Sequence, residues 1–148
     1  MATHGLPAWP WAGTLAEALP PAERLLLDGA RLWAEAAHRG HPPLPAARLT
    51  FIAEGAADAV APLDALLRAA AAIAAGCPLC PRVAPAEATL LLGCALAQRG
   101  AQREALALLL RHLPPGAAQA AVAAATQLGD ALARAGLPLR NPLRCRRG

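Results

Sequence analysis

Alanine and leucine supply 42 and 27 of the 148 residues, whereas valine, isoleucine and threonine together supply ten. Alanine and leucine rank at the top of the helix-propensity scale, and the β-branched residues that favour strands are scarce. The sequence therefore predicts an all-α fold, a compact bundle of five or six short antiparallel helices.

Prolines near helix starts and glycines just after helix ends divide the chain. This punctuation predicts helices over about residues 21–39, 46–54, 58–75, 85–99, 102–113 and 117–135. Their short connections favour antiparallel packing of neighbours. We divide the chain into an irregular arm (1–20) that contains prolines and tryptophans, a single helical domain (21–139), and a basic tail (140–148).

Trp9 and Trp11 flank Pro10 in the N-terminal arm. Because an indole ring buries a large apolar area, we expect this arm to fold back on the domain as a clasp. A partner-binding arm is the alternative.

Helical spacing separates apolar from charged positions. In the first helix it predicts a solvated face with Arg24, Asp28, Arg31 and Glu35, and Glu23 is likewise expected in solvent. The residues expected in the core are Leu25, Leu26, Gly29, Leu32, Trp33 and Ala36 in the first helix, Leu49, Phe51 and Ile52 in the second, and Val60, Leu63, Leu66, Leu67, Ala70 and Ile73 in the third.

The chain contains no serine, lysine or tyrosine. Serine triads, lysine Schiff bases, P-loop phosphate binding and tyrosine acid–base catalysis are thereby excluded. The ten acidic residues show no paired arrangement. We therefore expect a protein without catalytic activity.

All 14 basic residues are arginine, and four of them (Arg140, Arg144, Arg146, Arg147) lie in the tail. The other ten balance the ten acidic residues, so the helical domain offers no basic stripe and a nucleic-acid partner is not expected. Two helices around Gly55 leave a DNA-binding helix-turn-helix open as an alternative, with Arg68 as the only base on the second helix.

Polar residues interrupt the longest apolar stretch, residues 59–75, at Asp64 and Arg68. No run reaches the roughly 18–20 residues of a membrane-spanning helix. The N-terminus also lacks the basic region of a signal peptide. The expectation is a cytoplasmic protein without a membrane partner.

The most distinctive motif is Cys77-Pro78-Leu79-Cys80. Two cysteines at this spacing can bind one zinc ion, and His38 and His41 could complete a four-ligand site. Cys94 and His112 are further possible ligands. Alternatively the two cysteines form a redox pair, or they only pack a proline-rich turn, in which case the protein has no cofactor.

Residues 92–100 recur, in part, 36 residues later as residues 128–136. The Leu-Gly pair, the later Leu and the closing Gly are similar to the tetratricopeptide pattern. This resemblance implies that helices approach closely at the small residues Gly93 and Ala105. The aromatic positions of that pattern are absent, and nothing before residue 85 matches it.

A chain with so few reactive side chains is better suited to binding than to catalysis. We expect a small helical module that binds another protein, or a second copy of itself, through an alanine- and leucine-rich face. A zinc-dependent version of the same fold is the alternative.

Overall fold

The computed structural model describes residues 11–73, 75–76 and 78–140. Within these ranges the protein is all-α, and the predicted helical bundle is confirmed. Two 3-10 turns, Ala16–Ala18 and Ala57–Ala59, precede the first and third helices. The α-helices are α1 (Pro21–His38), α2 (Pro43–Ala53), α3 (Val60–Ala69), α4 (Pro85–Gln98), α5 (Gln102–Leu109) and α6 (Pro115–Arg134).

Four of these helices, α1, α2, α4 and α6, begin with proline and end before a glycine with left-handed backbone. Proline suits the first helical position because its missing N–H would have no partner there. The N–H after each glycine donates to the carbonyl five residues earlier at 2.8 or 2.9 Å, which satisfies an otherwise unpaired helix end. These glycines are Gly40, Gly55, Gly100 and Gly136.

Three helix boundaries differ from the predictions by three residues or more, and one of them is the end of α5 at Leu109, four residues before the predicted end. α2 begins at Pro43, three residues before the predicted start, because two prolines fit its first turn. α3 ends at Ala69, six residues before the predicted end. Beyond it, Ile73 N–H donates to the Ala70 carbonyl, only three residues earlier, at 2.8 Å, and Gly76 N–H donates to Glu87 in α4 at 2.7 Å.

The core lies around α6, which packs against α3, α4 and α5, while α1 packs mainly on α2. All six residues predicted for the buried face of the third helix are buried, as is Cys94 in α4. The prediction for α2 was wrong at two of its three positions. Phe51 is buried, but Leu49 and Ile52 are exposed.

Two glycines set the closest approaches between helices. A methyl group on Gly29 of α1 would collide with the ring of buried Phe51 in α2. A methyl group on Gly129 of α6 would lie 2.8 Å from Cβ of Gln98 in α4. At Gly93, where we expected close approach, the nearest atom would be an ordinary 3.9 Å away.

The described part of the N-terminal arm is anchored. Gly13 N–H donates to Val83 carbonyl at 2.9 Å, and Ala16 N–H donates to Pro81 carbonyl at 2.8 Å. Trp11 packs, half-buried, against the core. The clasp predicted for Trp9 lies outside the described residues.

Gln98 fixes the segment after α6. Its side-chain Nε2 donates to the Gly129 carbonyl at 2.9 Å, and its Oε1 accepts the N–H of Leu139 at 2.7 Å. The Leu139 side chain is buried. Arg140 is the last described residue, so the rest of the basic tail lies beyond the structure.

In the described ranges, no helix is both long enough and apolar enough to cross a bilayer.

Candidate functional site

An ion pair between α1 and α4 is buried in the protein. Arg31 Nε donates to Glu87 Oε2 at 2.7 Å, and Arg31 Nη2 donates to Oε1 at 2.9 Å. The two side chains are 2% and 1% exposed. The prediction that Arg31 lies on a solvated face was therefore wrong, because the charge is neutralised by a residue 56 positions away.

The same two side chains bind the backbone of the segment between α3 and α4. Arg31 donates to the carbonyls of Cys80, at 2.6 Å, and Arg82, at 2.9 Å. Glu87 accepts the N–H groups of Gly76, at 2.7 Å, and Ala84, at 2.8 Å. We call residues 76–84 the anchored loop.

Hydrogen bonding decides the charge state of this pair. Burial alone would raise the pKa of Glu87, but the hydrogen bonds from Arg31, Ala84 and Gly76 outweigh it and hold that pKa below its ordinary value. The hydrogen bond to Glu87 raises the pKa of Arg31. Both groups are therefore charged at neutral pH.

Burying two charges costs several kcal/mol per ion, and a well-packed apolar pair would often serve stability as well. The pair is thus a weak device for holding α1 against α4. Its four bonds to loop backbone give it a different structural effect. They fix an irregular segment that has no helix or sheet to satisfy its polar groups.

The N-terminal arm holds the anchored loop from the other side. Val83 N–H donates to the Thr14 carbonyl at 2.8 Å, and Leu15 and Arg82 form an isolated antiparallel bridge. The Arg82 side chain donates to the Gly13 carbonyl at 2.8 Å. The loop is therefore bonded both to the helices and to the arm.

The tip of the anchored loop presents an apolar side chain to solvent. Leu79 is 91% exposed, the highest value among the large apolar residues that the structure describes. Leu49 of α2 follows at 76%. Their chain neighbours, Pro78 and Thr50, line one small cavity of about 180 Å³ together with Arg31. The loop tip and α2 thus border the same cavity.

A second and larger cavity, of about 670 Å³, is an open groove between α1 and the segment that follows α3. Trp33, Ala37 and His38 line one side of it. Ala70, Ala71 and Ile73 line the other side, with Gly76 and Pro78 at the anchored loop. Small alanine side chains line the groove both from α1 and from the segment after α3.

Trp33 is fixed at the wall of this groove. Its indole Nε1 donates to Asp64 Oδ1 at 2.7 Å, and the Arg68 guanidinium lies 5.9 Å from its ring centre. Arg68 also donates to Asp64 at 2.9 Å. The single base on α3 is therefore paired with Asp64 on the same helix, with its side chain 60% exposed.

Of the described residues predicted to bind zinc, the structure places only His38 at the groove. His38 lines the groove that Gly76 and Pro78 also line, and these two residues flank Cys77 in the sequence. Cys80 Sγ lies 3.7 Å from where a Cβ of Gly76 would be. His41 is exposed beyond α1 and does not line the groove, and Cys77 lies outside the described residues. Among the residues that are described, no three histidines, cysteines or carboxylates are grouped closely enough to bind a metal ion.

Cys94 takes no part in surface chemistry. It is 2% exposed in α4, and burial raises the pKa of its thiol to about 12. The reactive form of cysteine is the thiolate, so Cys94 is inert in the folded protein.

Sequence reasoning missed the role of Arg31 and Glu87. The sequence did contain one signal that Arg31 is buried. The apolar residue Leu27 lies four residues earlier, on the same side of α1, and the structure shows that Leu27 is buried. Glu87 lies in the first turn of α4, where a carboxylate is favourable in any helix. Nothing in the local sequence indicates that these two residues meet.

No family model, curated protein or solved structure matches this chain. The function has to be inferred from the geometry of the chain itself.

Proposed function

We propose that the protein is a non-catalytic binding module that inserts Leu79 into an apolar pocket on another protein chain. The observation that carries this proposal is the buried Arg31–Glu87 pair, which binds the backbone on both sides of Leu79. A connection between two helices does not need a buried charge pair to hold it.

Rigidity is what makes the loop suitable for binding. A mobile loop loses conformational entropy when a partner orders it, whereas a loop already held in place avoids most of that cost. Pro78 and Pro81 restrict the backbone further on either side of the tip.

Leu49 provides a second contact for the same partner. It borders, through Thr50, the cavity that Pro78 borders from the loop. A few well-placed apolar side chains dominate the energy of most protein interfaces. We expect Leu79 and Leu49 to act together in this way.

The test is a quantitative capture experiment with the full chain as bait. Leu79→Gln and Leu49→Gln are compared with the wild type and with Leu110→Gln, which changes an exposed leucine just after the end of α5. The proposal expects a protein that the wild type and Leu110→Gln retain but the other two variants lose. Native mass spectrometry of each variant shows whether that protein is a second copy. Capture profiles that do not distinguish the variants would contradict the proposal.

A zinc-binding form is the second candidate. It is favoured because His38 and the two neighbours of Cys77 line one groove, and thiolate and imidazole are the ligands that zinc prefers. A zinc ion would cross-link α1 to the anchored loop and supply structural stability only. Its ligands would be Cys77, Cys80 and His38, with a fourth that the groove does not identify.

Metal content and stability test this second candidate. Protein prepared without chelator is expected to contain about one zinc per chain, and Cys80→Ala and His38→Ala are expected to lose it and melt at lower temperature. Cys145→Ala serves as the matched control. Equal zinc content and melting temperature in all of these variants would exclude the site.

A further inference from the structure

We propose that the groove between α1 and the segment after α3 binds the first ten residues of the same chain, with Leu6–Pro10 as the docked segment. The proposal is independent of the function proposed for Leu79. It depends on the shape and lining of the groove, on the chemistry of residues 1–10, and on where the described chain begins.

The groove has the lining of a peptide site. Its floor is formed by the buried side chains of Leu67 and Ile73, and one wall is the half-buried ring of Trp33. Its polar residues, Glu35, His38 and Arg39, are on α1 toward the end of the helix. The volume of about 670 Å³ is in the range of sites that bury several side chains.

The N-terminal residues match such a groove. Leu6 and Trp9 supply apolar side chains, and residues 1–10 contain no arginine, aspartate or glutamate to desolvate. Pro7-Ala8-Trp9-Pro10 also has proline at both ends of a four-residue span. Segments of this kind favour the extended polyproline conformation, and grooves with aromatic walls bind it because little entropy is lost.

The described chain begins close enough to the groove. Gly13 is bonded to Val83, and the next residue, Ala84, donates its N–H to Glu87 Oε1. The other oxygen of that carboxylate accepts the N–H of Gly76, which lines the groove. The groove and the backbone next to Val83 are therefore close together, because the single carboxylate of Glu87 bonds to both.

The length of the segment is sufficient as well. The groove follows α1 from Trp33 to Arg39, which corresponds to about 9 Å of helix. Ten extended residues span up to about 33 Å. Leu6–Pro10 can thus cover the groove while Trp11 keeps its place against the core.

The experiment uses a protein that lacks residues 2–10 and a synthetic peptide of residues 1–10. The shortened protein is expected to bind the peptide saturably with a Kd of about 0.1 mM or lower, a tenth of the roughly 1 mM effective concentration that a short tether provides. Full-length protein is expected to bind it at least about ten-fold more weakly, because its own segment occupies the groove.

Groove variants locate the binding. Ala71 is exposed and lines the groove, so Ala71→Arg in the shortened protein is expected to weaken peptide binding about ten-fold or more. Ala123→Arg, on the exposed side of α6, is the matched control and is expected to bind normally. A peptide with Trp9 replaced by alanine is expected not to bind.

Four results would overturn the proposal: no binding to the shortened protein, equal binding to both proteins, equal binding to both arginine variants, or dimerisation of the full chain that the deletion abolishes. Equal binding to both proteins would show that the N-terminal segment of the same chain does not occupy the groove. The dimer result would assign it to the N-terminus of a second copy.

Discussion

The carboxylate of Glu23, in the first turn of α1, accepts the backbone N–H of Arg140 at 2.8 Å, 117 residues further along the chain. Its other oxygen, Oε1, is buried and has no hydrogen-bond partner among the described residues. The prediction that Glu23 lies in solvent was therefore wrong. Burial raises the pKa of Glu23, although the bond from Arg140 and the Arg140 charge oppose this.

We expect Glu23→Gln to stabilise the protein at neutral pH by on the order of 1 kcal/mol, because it removes a buried charge with an unpaired oxygen. When folding raises the pKa of an acid, that acid lowers the free energy of unfolding at any pH above its pKa in the folded protein. This destabilisation disappears once the pH falls below the pKa of the same acid in the unfolded chain. The advantage of Glu23→Gln should therefore shrink on acidification. Urea unfolding at neutral and acidic pH measures it, with exposed Glu17→Gln as the control. A variant less stable than the wild type at neutral pH would contradict this expectation.

Glu87 has the opposite pH dependence. Folding lowers the pKa of Glu87, so its contribution to the free energy of unfolding is complete above the pKa of the unfolded chain, about 4.3. That contribution is lost as the pH falls through the lower pKa of the folded protein. Glu87→Gln should cost about 3–5 kcal/mol at neutral pH, since it leaves Arg31 buried without a counter-charge. The difference from the wild type should narrow in acid.

Denaturant titrations over the same pH range check this prediction for Glu87. Glu104→Gln, on the exposed surface of α5, is the control and should change stability little. A small loss of unfolding free energy for Glu87→Gln at neutral pH, or a loss that increases on acidification, would contradict a buried and charged Arg31–Glu87 pair.

Glycine replacements separate close helix contacts from helix propensity. Gly29→Ala and Gly129→Ala should each destabilise the protein by about 1–3 kcal/mol, because the added methyl meets Phe51 or Gln98 in packed surroundings. Gly93→Ala has room and should stabilise the protein by up to about 1 kcal/mol through helix propensity. Thermal unfolding gives the order of the melting temperatures of the three variants. Stabilisation by all three substitutions would refute the close helix contacts at Gly29 and Gly129.

Gln98→Ala tests how the segment after α6 is held. The change removes an acceptor for Leu139 N–H and a donor for the Gly129 carbonyl, so a loss of about 1–3 kcal/mol is expected. Amide hydrogen exchange should rise at Leu139 more than in α5. Unchanged exchange at Leu139 would mean that burial of its side chain alone holds the segment.

Cys94 should resist alkylation in the folded protein at neutral and mildly alkaline pH, since its thiol pKa is about 12. Unfolding in denaturant should make it react at the rate of an ordinary thiol. Peptide mapping after timed alkylation measures both states. Rapid labelling of Cys94 without denaturant would contradict its place in the core.

The helices could be predicted because their signals are local. Pro85 and Gly100 delimit α4 within a few residues, and the apolar period of α3 identifies its buried side. The errors concern information that a single helix does not contain. Leu49 and Phe51 were both expected inside, but only the position of α1 decides that the side with Phe51 is buried.

The candidate site was harder to predict for the same reason. The cysteine motif identified the loop, but Leu79, at its tip, is unremarkable in sequence and is distinguished only by its exposure. The bond between Arg31 and the Cys80 carbonyl joins residues 49 positions apart. Spacing rules describe neighbours along the chain, so such a bond could not be predicted from them.

Because the loop is held by residues from two distant helices, its shape exists only in the folded chain. A partner that grips Leu79 would discriminate folded from unfolded molecules, and occupancy at 100 times its Kd would add about 2.7 kcal/mol to the free energy of unfolding. Partner binding and folding would then be thermodynamically linked, because the partner would stabilise only the folded chain.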